Sequence, residues 1–124
     1  MAKFEKYLRL DPSGELRWIT IDRDHFLDGL REAIGCEWLE NVRLPGGVCA
    51  IVDEVGKIKV PPQLVNPLAS VLYPGTAYGD PLCGPVVFAR IALVDGESDW
   101  CPLRPFQLSM LQIVLGIEIP DQEV

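Results

Sequence analysis

Between residues 52 and 75 the chain reads VDEVGKIKVPPQLVNPLASVLYPG, and no single helix or strand can run through it. Pro61-Pro62 cannot occupy a helix interior or a central strand, because proline lacks a backbone N–H and fixes φ. Asn66 before Pro67 has the form of an N-cap followed by proline at the first helical position. Leu68, Val71 and Leu72 then fall on one apolar helical face, and Pro74-Gly75 ends the run. The stretch predicts an acidic turn, a break and one short capped helix, around which the rest must pack. The segment entering it, Val48 to Asp53, is continuously apolar up to Asp53-Glu54 and reads as a buried strand. Lys57 to Val60 is expected to resume an extended form.

Upstream, Lys3–Arg9 and Leu16–Ile21 flank Asp11-Pro12-Ser13-Gly14, whose residue order suits a type I turn. Together they predict an N-terminal β-hairpin. Asp24 reads as the cap of an amphipathic helix ending at Ile34, with Phe26, Leu27, Leu30, Ala33 and Ile34 at helical spacing and Gly35 as the stop. His25, at its first turn, reads as an exposed helix-start residue rather than a catalytic group. Cys36–Leu44 reads as a strand on the shared parity of Trp38, Val42 and Leu44, closed by a turn at Pro45-Gly46-Gly47. Downstream, Thr76–Gly84 is a loop and Pro85–Val94 is the strongest strand, interrupted by Arg90. Asp95-Gly96 is a turn, Ser98–Pro102 is short and extended, and Pro105–Leu115 has helical spacing up to Gly116. The order β-β-α-β-β-α-β-α predicts one α+β domain over residues 1–118, with an antiparallel or mixed sheet and two to three helices packed on it. Residues 119–124 are expected to form a frayed acidic tail.

A chain of 124 residues can bury a core without a metal or a disulfide. Its net charge of −7 and scattered basic residues argue against a nucleic-acid polymer as partner. Four cysteines without a C-x-x-C pair, beside a single histidine, argue against structural zinc. Met1–Lys6 lacks an apolar leader, and no apolar run approaches the ~20 residues of a membrane span. The expectation is a cytoplasmic protein with free, mostly buried thiols, and with no cofactor or membrane partner.

The segments VDEVGKIK, VNPLASVLY and DPLCGPVVF resemble a small domain-of-unknown-function family of bacteriophages, plasmids and conjugative elements of Gram-positive bacteria. The shared pattern is an acidic pair before Gly56-Lys57, then Asn66-Pro67 with Ala69, then Gly84 leading into an apolar strand. It covers roughly Tyr7 to Val94, and the Ser98–Gly116 extension departs from the shorter members. The resemblance implies a phage or mobile-element origin, and no catalytic residue can be carried over from it. By analogy, small proteins of this kind act on host defence by binding a host protein or by soaking up a nucleotide-type immune signal.

Three chemistries compete for the central stretch. A ligand pocket would use Asn66 as donor and acceptor, Tyr73 and Tyr78 as stacking faces, and Lys57 and Arg90 to neutralise phosphate, beside Asp53 and Glu54. Each has a plainer reading: Asn66 as helix cap, Tyr73 as core, Arg90 in a structural salt bridge and the acidic pair as a solvated turn. A small hydrolase would need Asp53 and Glu54 to converge, which adjacent strand residues do only where the chain bends. A protein-interaction module that inhibits a host protein, or a homo-oligomer, would use Trp18, Trp38, Trp100 and the C-terminal helix. The favoured expectation is an anti-defence sponge that sequesters a nucleotide-like ligand without cleaving it.

Overall fold

Two apolar faces on one sheet account for most of the architecture. The computed structural model describes residues 3–59 and 63–122. Val60 and the Pro61-Pro62 break lie outside them. Strands β1 (Phe4–Leu10), β2 (Leu16–Asp22), β3 (Leu39–Arg43), β4 (Cys49–Asp53), β5 (Val86–Val94) and β6 (Glu97–Cys101) form a six-stranded sheet. Its order is β2-β1-β5-β4-β3, with β6 paired to β5, and every pairing is antiparallel. Helices α1 (Phe26–Ile34), α2 (Pro67–Val71) and α3 (Pro105–Leu115) complete an α+β domain that opens on a hairpin.

Strand parity sorts the core into two layers. Leu8, Leu10, Val42, Val48, Ala50, Val52, Val86 and Phe88 face one side, where Ala69 and Leu72 of the α2 segment and Leu111 of α3 cover them. Tyr7, Ile21, Ile51, Val87 and Ala89 face the other, under Phe26, Leu30 and Ile34 of α1. Because β4 is covered on both faces, all five of its residues are buried, which explains its unbroken apolar run.

The long strand β5 changes character halfway. Val86 to Ala89 are buried between β1 and β4, whereas Arg90 to Val94 leave the core and pair only with β6. Asp95 and Gly96 both have positive φ (51° and 83°), the backbone of a tight two-residue hairpin turn. Glu97–Cys101 is therefore a full ladder partner, where the sequence suggested only a short extended Ser98–Pro102, and this strand β6 is absent from the order expected from sequence. A cluster around Arg23 anchors this ribbon to the domain. Its guanidinium donates to Glu5 (2.6 Å), the Tyr7 hydroxyl (3.2 Å), Asp99 (3.1 Å) and the Trp100 carbonyl (2.7 Å), and lies 3.9 Å over the Phe26 ring. Burial, reinforced by Glu5, pushes the Tyr7 hydroxyl well above the usual phenol range.

Several local expectations shift. Asp22, not Asp24, accepts the capping bond, because a 3₁₀ turn over Arg23–His25 precedes α1. The strand read over Cys36–Leu44 shrinks to Leu39–Arg43, leaving Trp38 outside it and exposed. Lys57–Lys59 is not extended: the N–H groups of Ile58 and Lys59 both reach Val55 O at 3.1 Å, so the chain coils there. The tail is not free at residue 119, since Ile119 packs on the core and the Trp18 indole donates to Pro120 O at 2.6 Å.

The turn before β4 also seats α3. Gly46 and Gly47 have φ of 79° and 74°, and a Cβ on Gly46 would collide with the Met110 thioether. Gln107 Nε2 donates to Gly46 O at 3.2 Å, and its Oε1 accepts the Arg104 N–H at 2.9 Å. We predict that Gly46→Ala destabilises the domain by about 2 kcal/mol through left-handed strain plus displaced Met110. A urea midpoint equal to wild type would contradict this seating.

Candidate functional site

The capped helix predicted around Asn66 is present, and its role is internal. Asn66 is fully buried. Its Oδ1 accepts the Ala69 N–H (3.3 Å), while Nδ2 donates to Leu10 O (2.9 Å) and Gly84 O (3.0 Å). Ser70 extends the network: its hydroxyl donates to Asn66 O (2.7 Å) and accepts the Leu82 N–H (3.0 Å). Both amide protons of Asn66 are spent, so the side chain offers no donor to a ligand. The reading as cap is right, and the reading as ligand contact has no geometric support.

What this network positions is a cleft of about 250 Å³ at the β3 edge, between the end of β4 and the loop over residues 74–84. Val42, Val52 and Leu82 lie behind it but are themselves buried, Tyr73 and Cys83 also border it, and its open surface is mostly polar. Glu40, Asp53, Glu54, Lys57 and Asp80 supply its charge. Glu40 sits directly across from Val52 in the β3–β4 ladder, so it projects on the same face as the cleft floor.

The charges divide into spent and unspent. The Asp53 carboxylate is fully buried, accepts the Val55 N–H at 3.0 Å and is ion-paired with Lys59. That pairing raises the Lys59 pKa. Lys57 is paired with Asp80 across the cleft mouth, and the Tyr73 hydroxyl donates to the other Asp80 oxygen at 3.4 Å. The Lys57 ammonium holds the Asp80 carboxyl below its ordinary value. Glu40 and Glu54 form no ion pair among the described residues.

Four of the seven residues singled out from sequence therefore meet at one place: Asp53, Glu54, Lys57 and Tyr73. Tyr78 is 90% exposed and outside the cleft lining. Arg90 is also outside it. Its Nε donates to Pro102 O at 2.8 Å, and it forms no ion pair with a carboxylate among the described residues. The hydrolase expectation loses its pair, since one carboxylate is buried against Lys59 and the other is exposed. Glu40, Leu82 and Cys83 were missed. Only Glu40 left a trace in sequence, through its alternation with Val42, and using that trace required the hairpin register.

The cysteines are free, with Cys49 and Cys101 buried and Cys36 and Cys83 half-buried. Burial raises the thiol pKa of Cys36 and Cys49. No helix among the described residues is long and apolar enough to cross a membrane.

Sheet order, two-sided core and cleft together define a small antiparallel α+β domain. The chain belongs to the family described as Domain of unknown function (DUF3846), whose model matches residues 5–115. That match runs through α3, so the Ser98–Gly116 segment, expected to depart only from shorter members, falls almost wholly inside it. No curated protein matches the chain. Among solved structures it is similar to the small RNA methyltransferase HEN1, with a TM-score of 0.58 and 14% identity over 85% of this chain. It spans only 15% of that protein's length, and at this identity the likeness is one of fold.

Two outcomes follow from these contacts. Asn66→Ala leaves the buried carbonyls of Leu10 and Gly84 without their donor, and should cost about 3 kcal/mol. Asn66→Asp keeps the cap acceptor but not the donors, so it should be at least as damaging; equal stability of Asn66→Asp and wild type would refute the hub. The Asp80 carboxyl should titrate below 3.8 by carboxyl-carbon NMR, and Lys57→Met should move it back up. Because its folded value is depressed, the clasp's contribution is present above 3.8 and lost as pH falls through the lower folded value.

Proposed function

We propose that this protein holds a small nucleobase-bearing ligand in the Tyr73 cleft without transforming it. In this reading it is a phage or mobile-element accessory factor that sequesters a nucleotide-type signal in the host cytosol. The observation that carries the reading is the meeting, in one small cleft, of the Tyr73 ring with two carboxylates, Glu40 and Glu54, that form no ion pair among the described residues. Carboxylates accept hydrogen bonds from amino and ring N–H groups on a base edge. An aromatic ring supplies a stacking surface of about 1–3 kcal/mol per base.

The geometry also refines what was expected of the ligand. A cleft of about 250 Å³ lies below the usual ~300–1,000 Å³ of drug-sized pockets, so it suits one ring system. Lys57 is committed to Asp80 and Arg90 lies elsewhere, which leaves excess negative charge on the lining. Phosphates are therefore repelled from the cleft and must point to solvent, with recognition resting on the base. A second reading, a module that inhibits a host protein, is favoured by the exposed Leu64, Val71 and Tyr78 around α2 and the following loop.

The test is thermal shift and calorimetry with a panel of nucleosides and their phosphates, followed by mass spectrometry of the released ligand. A nucleoside should bind at least as tightly as its phosphate and return unchanged. Tyr73→Ala and Glu54→Gln should each weaken it about tenfold or more, a loss of ~1.4 kcal/mol. A released product would establish turnover instead, and a panel without any shift would remove the nucleobase reading.

A further inference from the structure

The two longer helices treat solvent in opposite ways. On α1 the buried side is Phe26, Leu30 and Ile34, and the outward side carries Asp28, Arg31 and Glu32. That is how a solvent-facing helix is built in this chain. On α3 only Gln107 and Leu111 are buried, and its eleven residues include no Asp, Glu, Lys or Arg. Its outward side shows Phe106 (63% exposed), Ile113 (80%) and Val114 (48%), with Ser109 and Gln112 between them. A helix that is apolar on nearly every side is normally covered.

We propose that α3 is the contact face of a homodimer, in which two copies pack this helix antiparallel about a two-fold axis. The first argument is electrostatic. Each chain carries a net charge of −7, so two copies repel over most of their surface and approach most easily through a neutral face. The second is complementarity with itself. Phe106 and Ile113 are seven residues apart, about 10 Å along one side of the helix. In an antiparallel pair the aromatic end of one helix meets the Ile113–Val114 end of the other, which is the self-matching pattern a two-fold interface requires.

The third argument fixes the direction. Arg104 precedes α3 and Glu118 follows it; both are exposed, and neither forms an ion pair among the described residues. Antiparallel packing brings Arg104 of each copy to Glu118 of the partner copy, whereas parallel packing stacks like charges. The three apolar side chains offer on the order of 350 Å² per copy, below the ~800 Å² per partner of a standard interface. The dimer is therefore expected to be weak and transient.

Sedimentation equilibrium on the full chain tests this. Wild type should be a reversible dimer, and Phe106→Glu or Ile113→Glu should raise Kd by tenfold or more, with circular dichroism unchanged because both positions are exposed. Arg104→Glu and Glu118→Arg should each weaken the dimer, and the double swap should restore it. A wild-type monomer at all concentrations overturns the proposal, as does a dimer indifferent to Phe106→Glu and Ile113→Glu. Failure of the double swap to restore association overturns the antiparallel arrangement.

Discussion

The arrangement of this domain depends on one buried amide. Asn66 touches three parts of the chain at once: the end of β1 through Leu10 O, the start of β5 through Gly84 O, and the first turn of α2 through the Ala69 N–H. Each partner is a backbone group in the buried layer around it. That is why the site tolerates a polar side chain in an apolar layer. An acid would lack the donors and a hydrophobe would lack everything, so the amide is chosen by stoichiometry rather than by size. With the hub in place, Ser70 fixes Leu82 and the residue 74–84 loop has a defined course.

The cleft is a by-product of that course. Charged residues from the turn after β4 and from the residue 74–84 loop line it, and Lys57 and Asp80 pair across it. Val42, Val52 and Leu82 lie buried behind a mostly polar rim rich in carboxylates. In the proposed reading, such a rim disfavours phosphate and accepts hydrogen bonds from a ring bearing N–H groups. The opposite end of the same sheet face carries α3, which is seated by Gly46 and Gln107 and shows apolar residues outward. Cleft and helix thus draw on different parts of one layer.

Much of this was readable in advance, for identifiable reasons. The hairpin, α1 with Gly35 behind it, the Asn66-Pro67 cap and α3 with Gly116 all rest on interactions within a few residues of one another. Local sequence fixes such interactions. The reading failed where backbone contacts or position in space, rather than residue type, decide the outcome. Strand β6 looked merely extended because its ladder partner is the solvent-facing half of β5. Lys57–Lys59 looked extended because the Val55 carbonyl that coils it is not a side-chain signal. Arg90 and Tyr78 looked like ligand contacts because their residue types suit that role, while their positions in space do not.

The sequence alone determined the α+β class, the places where helices must stop, and the presence of a capped helix after the prolines, since backbone sterics and capping act over single turns. The tertiary structure decided which polar groups were already consumed. Hydrogen-bond partners of Asn66 lie 18 and 56 residues away, and the Lys57–Asp80 clasp spans 23. Whether a side chain is free to meet a ligand is a question of long-range proximity, and only the folded chain answers it.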